Sequence, residues 1–166
     1  PLTVMKFAEL LNEEFPDGVV NTVTGYGSEV GDYLVTSNGV NKISFTGSVT
    51  TGLMISQKAG MKKVTLELGG NDPMVVLKDA NLDKAVTGVI NGAFLNAGQV
   101  CMGVKRIIIE NEVADEFCEK LVAQTEKRVM GNPLDTKTTL GTLISEKAAI
   151  QVEQTVNNAV HEGAKI

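Results

Sequence analysis

The spacing of apolar residues changes along the chain, and each change predicts an element. In TVMKFAELLNEEFPDG, Val4, Phe7, Ala8 and Leu11 fall on one helical face, and Pro16 and Gly18 stop the helix. VVNTVT (19–24) is a β-rich run and predicts a strand. SEVGDYLVTS predicts a short helix with Ser28 as its N-cap. VNKISF (40–45) predicts a strand, SVTTGLMISQKAG (48–60) a helix capped by Ser48, and KKVTLEL (62–68) another strand. Residues 1–68 thus alternate helix and strand, the rhythm of a parallel sheet with crossover helices. Ligands of such sheets sit at the carboxyl ends of the strands.

The second half continues the alternation. PMVVL (73–77) predicts a buried strand. In NLDKAVTGVINGAFLNAG (81–98), Leu82, Ala85, Val86, Val89, Ala93, Phe94 and Ala97 keep helical spacing, and Gly98 ends the helix. VKRIIIE (104–110) predicts a strand, and EVADEFCEKLVAQTEKRV (112–129) a helix with Val113, Phe117 and Leu121 inward. GNPLDTKTTLGT predicts a loop, and SEKAAIQVEQTVNNAVHEG (145–163) a last helix capped by Ser145. The ELGG stretch at 67–70 is the natural hinge, giving halves 1–68 and 69–166. Both ends read as cut: the chain starts at Pro1, and EGAKI reads as a helix end running into a strand.

Composition narrows the function classes. With 43% hydrophobic and 21% charged residues, the chain is of the soluble globular kind. A net charge of −5 without a basic run excludes an electrostatic footprint for nucleic acid. The longest apolar runs are far too short to span a bilayer, and no signal peptide is visible. Cys101 and Cys118 make no disulfide framework, which fits a reducing, cytoplasmic setting. His161, the only histidine, lies on the last helix and reads as a surface residue, so neither a Cys–His pair nor a zinc set is implied.

Four stretches could carry chemistry. GYGSEVG (25–31) follows a strand-like run, but its glycines run G-x-G-x-x-x-G, one residue too long for a dinucleotide fingerprint. A turn glycine plus a helix cap is the better reading. In SFTGSVTTG (44–52), Gly47 lets backbone approach a ligand, and Ser48 opens a helix whose first N–H groups suit an anion; an ordinary capped turn reads equally well. In LELGGNDP (66–73), Glu67 ends an apolar strand, the place for a general base or for a surface glutamate before a turn. Cys101 in GQVC lies in a turn, where a backbone N–H can support an oxyanion, yet a bare cysteine is more often a small core filler. Cys118, beside Phe117 and Leu121 in a helix, reads as filler.

Taken in order, FPDGVVNTVTG, KISFTGS, VTLELGGNDP, DANLDKAV, GQVC, GNPLD and EGAKI resemble the aldehyde dehydrogenase superfamily from end to end. Cys101 follows Glu67 by 34 residues, as in the family's hydrolytic members. The resemblance implies an α/β fold: a parallel-sheet, Rossmann-like half, 1–68, from the NAD(P)-binding domain, then part of an α/β catalytic domain, 69–166. It implies that Cys101 is the nucleophile and Glu67 the general base that activates water. It places Gly47 and Ser48 at the cofactor pyrophosphate, Leu68 and Gly69 near the nicotinamide, and Phe45 and Thr46 as the floor beneath it. The implied cofactor is NAD or NADP, the substrate a small aldehyde, and the full-length assembly a dimer or tetramer.

KAGMKKVTLELGGNDPMVVLKDANLDKAV resembles the lactaldehyde and glycolaldehyde branch, which points to a small hydroxyaldehyde. Thr142 stands where the family usually has proline, and Asn71 where lysine is common. As a middle third, the chain would lack the oxyanion asparagine and the ribose-binding residues, so 166 residues alone are expected to be inactive. The alternatives are a relative that passes the acyl group to coenzyme A, against which Glu67 argues, and a non-catalytic nucleotide-binding piece.

Overall fold

Strand alternation is plain in the computed structural model, which describes all residues 1–166. In β1 (Lys42–Thr46) and β2 (Lys63–Glu67), exposed and half-buried side chains alternate residue by residue. The covered face carries Ile43, Phe45, Val64 and Leu66. The two strands pair in parallel, Phe45 opposite Leu66 and Thr46 opposite Glu67. Between them runs α3 (Val49–Lys58), the crossover helix of a βαβ unit. It buries Ile55, which with Val35 and Ala59 forms the core of a first unit, Pro1–Leu68.

That unit also holds α1 (Leu2–Glu14), a π-helical stretch at Gly27–Gly31, and α2 (Asp32–Thr36). Two expectations need correction here. Residues 19–24 form no strand: their β-branched side chains find no neighbouring strand, and β-propensity acts only through such pairing. Ser28 caps nothing, because the helical stretch opens earlier, with the Tyr26 carbonyl accepting from the N–H groups of Glu29 and Val30 at 3.0 Å. The apolar face of α1 is not covered: Ala8 is its one buried residue, while Val4 and Phe7 are 65% and 60% exposed.

The second unit, Gly69–Ile166, is built on β3 (Asp72–Val76) paired in parallel with β4 (Val104–Ile109). α4 (Leu82–Phe94) and α5 (Asn111–Thr125) pack with them around Val76, Val86, Val89, Ile90 and Phe117. Phe117 is fully buried, and such burial stabilises by about 1.5–3 kcal/mol. The Asn81 side chain caps α4 and the Ser145 hydroxyl caps α6 (Glu146–His161). α4 ends at Phe94 rather than at Gly98. A tight 3₁₀ turn follows, in which Asn96 and Ala97 take left-handed φ of 50° and 56° before Gly98 at 77°. Cys118 is exposed, not core filler: the helix turns it away from its buried neighbour Phe117. No helix is long and apolar enough to cross a membrane.

Candidate active site

The carboxyl end of the first unit's sheet gathers most of the residues singled out above. The Gly47 N–H donates to the Glu67 carbonyl at 3.0 Å, carrying the β1–β2 ladder one step past the strands. The sheet thereby brings Phe45, Thr46, Gly47 and Ser48 beside Glu67 and Leu68. Gly47 lies under the Phe45 ring, so a Cβ there would come 2.5 Å from Cζ. Leu68 lies on α3: a Cβ on Gly52 would meet its Cδ2 at 2.6 Å. Ser48 caps α3, its hydroxyl accepting from the Thr51 N–H at 3.2 Å. The first turn of α3 carries no acidic residue, so its positive end stands unopposed. Glu67 is exposed at the tip of β2, and its carboxylate enters none of the chain's ion pairs.

Beside this strand end lies a slot of about 430 Å³. One wall is a face of α3 (Thr51, Met54, Ile55, Lys58); the other comes from Gly27, Ser28, Gly31, Asp32 and Val35, with Phe45 between them. Its far rim carries an ion pair, the Lys58 ammonium 2.7 Å from both oxygens of Asp32. Apart from Phe45, sequence reasoning missed these residues. The signal was present in the i, i+3, i+4, i+7 spacing of Thr51, Met54, Ile55 and Lys58. GYGSEVG, set aside as a fingerprint, supplies three wall residues.

Gly69 follows Leu68 and opens the second unit, which holds Cys101. After the left-handed pair Asn96–Ala97, the chain makes a turn from Val100 to Gly103, closed by the Gly103 N–H on the Val100 carbonyl at 3.3 Å. Cys101 stands exposed on that turn. Left-handed non-glycine residues cost on the order of 1–3 kcal/mol each, a cost that the surrounding bonds must over-determine. Gln99 supplies two of them: its amide oxygen accepts from the Ile144 N–H at 2.7 Å, and its amide nitrogen donates to the Asn96 carbonyl at 3.0 Å. On another side Gly70 closes in, where a Cβ would collide with the Cys101 carbonyl and the Asp72 carboxylate. Arg106 ties down the adjacent strand start, donating to the Asn71 carbonyl at 3.0 and 2.7 Å. No group of His, Cys, Asp and Glu is arranged to hold a metal ion.

The aldehyde dehydrogenase family matches over residues 1–166. A lactaldehyde dehydrogenase from Methanococcus aeolicus is 52% identical over 95% of this chain and 34% of its own length. Among solved structures, glyceraldehyde-3-phosphate dehydrogenase GapN from Methanocaldococcus jannaschii, complexed with NADP, superposes with a TM-score of 0.94 at 46% identity; 98% of this chain and 37% of that one are covered. A betaine aldehyde dehydrogenase double mutant from Staphylococcus aureus, in complex with NAD+, gives 0.96 at 37% identity, with 100% and 34% covered. The chain spans about a third of the length of these relatives.

Proposed function

The chain belongs to the aldehyde dehydrogenase family, and from that premise we propose that it carries the nucleophile, the base and a cofactor seat of an NAD(P)-dependent aldehyde dehydrogenase. The observation that carries the reading is the exposed Cys101 thiol on a turn held from several sides. Residues 1–68 serve the cofactor and end in the base, Glu67, while residues 69–166 carry the nucleophile. A lactaldehyde-like hydroxyaldehyde is the substrate class, as in the name of the 52% identical relative.

The first unit fits a dinucleotide. The α3 N-terminus, just after Gly47 and Ser48, offers N–H groups to a pyrophosphate, and the slot along α3 starts at Thr51, in the same helical turn. Its apolar middle and polar rim suit a flat heteroaromatic base. Phe45, Thr46, Leu68 and Gly69 are the residues proposed to serve the nicotinamide. When bound, the cofactor supplies a hydride acceptor.

The remaining chemistry belongs to the chain's own residues. The Cys101 thiolate attacks the aldehyde carbon, forming a C–S bond and moving the carbonyl electron pair onto oxygen. The Cys101 N–H stabilises that oxyanion. After loss of hydride, the carbon is a thioester. Glu67 takes one proton from water as the oxygen attacks that thioester; the C–S bond breaks, the thiolate returns, and the carboxylic acid leaves and loses its own proton to solvent, as Glu67 then does. NAD(P)H formation from lactaldehyde tests this. Cys101→Ala is expected to lower turnover by about 10⁴-fold or more, the scale of losing a nucleophile. Unchanged turnover overturns the assignment, and faster acyl release to coenzyme A than to water would reassign the second half-reaction. Exposed apolar residues such as Leu134 and Ile144, at 90% and 86%, suit assembly into a homo-oligomer.

A further inference from the structure

Lys105 is the extra residue of a β-bulge. The parallel ladder pairs Asp72 with Val104 and then Pro73 with Arg106, stepping over Lys105. Alternation along β4 breaks there, leaving Lys105 and Arg106 both exposed. A bulge re-aims a side chain out of strand alternation. The re-aimed Lys105 folds back over the turn that carries Cys101, and its ammonium donates to the carbonyls of Val100, Cys101 and Gly103 at 2.9, 2.9 and 3.0 Å. An ammonium has three protons, so all of its donors go to one turn. Asp72 Oδ2, buried and without a hydrogen bond, stands 3.7 Å away as counter-charge.

Peptide planarity converts this grip into an orientation. In a trans peptide the C=O and the following N–H point in opposite directions, and the chain has no cis bond. Holding the Val100 carbonyl against Lys105 therefore turns the Cys101 N–H away from the ammonium. That N–H donates to no backbone carbonyl, so it is free for a ligand. The turn has little room to shift otherwise: Gly70 abuts the Cys101 carbonyl, and a Cβ on Gly103 would sit 3.2 Å from the Gly92 carbonyl of α4.

We propose that Lys105 is a positioning residue for aldehyde oxidation, holding the Val100–Gly103 turn so that the Cys101 N–H faces the developing oxyanion. The proposal rests on Cys101 being the nucleophile. Its test compares Lys105→Met, Lys105→Arg and Cys101→Ala in the protein that carries these residues. Misdirecting an oxyanion donor approaches the cost of deleting one, on the order of 10²–10³ in kcat, so Lys105→Met is expected to lose about tenfold or more. Cofactor Kd stays unchanged, and Lys105→Arg, which keeps donors at that place, recovers part of the loss. In Lys105→Met, hydrogen exchange of the Gly103 N–H quickens while that of Phe117 does not. A kcat within twofold of the parent overturns the proposal. So does an arginine variant no better than methionine, or cofactor binding weakened as much as kcat. If Lys105→Met does not fold, Lys105→Gln replaces it, and an unchanged kcat there is equally fatal. Retained turnover in Cys101→Ala removes the nucleophile reading itself, and the proposal with it; lost turnover in Cys101→Ala with unchanged kcat in the lysine variants removes the proposal alone.

Discussion

The two units hold their reactive groups by different means. The anion seat in the first unit is local: Ser48 caps its own helix through Thr51, three residues away, and Gly47 extends the strand it ends. The Cys101 turn in the second unit is held by Lys105 and also from a distance. Gln99 bonds across 45 residues to Ile144, and Gly70 meets the Cys101 carbonyl from the far side of β3 and α4 in sequence. The cores follow the same division, with Val35, Ile55 and Ala59 buried in the first unit against Val76, Val86, Val89, Ile90 and Phe117 in the second. A phosphate seat needs only a helix end and can be assembled from neighbours in sequence. The left-handed pair Asn96–Ala97 that leads into the nucleophile turn needs outside partners to outweigh its cost.

Gly70→Ala should strike the remote arrangement hardest. The new Cβ meets backbone, which cannot rotate aside, so a loss of about 1–3 kcal/mol is expected, with displacement of the Cys101 turn. Iodoacetamide labelling of Cys101, with exposed Cys118 as the internal reference, reads the displacement, and a denaturation midpoint reads the stability. Gly69→Ala is the control, because nothing lies within 4 Å of a Cβ there. Equal effects at the two glycines would break the comparison.

Ser48→Ala should cost less, about 1 kcal/mol for a lost cap, measured as a fall in melting temperature. Ser48→Asp separates capping from ligand binding. Aspartate caps as well as serine, so stability holds, while its charge repels a pyrophosphate and dinucleotide affinity falls. Unchanged affinity in a calorimetric titration would remove the phosphate from the first unit.

The smallest effect is expected from Asp83→Asn. Lys120 bridges from α5 to Asp83 on α4 at 2.7 Å, with Glu116 at 3.5 Å. The hydrogen bond to Asp83 holds the ammonium above its ordinary value of 10.5, against an opposing loss of hydration and aided by the charges of Asp83 and Glu116. Because the folded value is raised, the pair's contribution is complete below 10.5 and disappears as pH rises through the higher folded value. The variant should therefore melt slightly lower than the parent at neutral pH, converge with it above the folded value, and lose the difference in high salt. A large neutral-pH difference would mean that surface charge, rather than packing, sets the second unit apart.

Much of the element pattern was legible. Strand alternation, the caps at Ser48 and Ser145 and the inward Phe117 all follow from residues within one or two turns of each other. The misreadings share a cause. VVNTVT has strand chemistry but no strand beside it, and α4 yields to a left-handed turn four residues before the glycine that should have ended it. In both places a remote contact, absent or present, decides the backbone. Asp32 and Lys58 are ordinary charges 26 positions apart in sequence, and only folding brings them together on one rim.

The sequence by itself determined the α/β alternation, the family, and the residue types at the two strand ends, because periodicity, capping and motif spacing are properties of neighbours along the chain. It left Cys101 between filler and nucleophile on local grounds. The tertiary structure decided how that cysteine is presented: exposed, on a turn gripped by Gln99, Gly70 and Lys105. Nothing in the string VKRIII marks its lysine as different from any solvated one. The physical reason is the bulge, a mismatch in register between two strands, which exists only once both strands are paired.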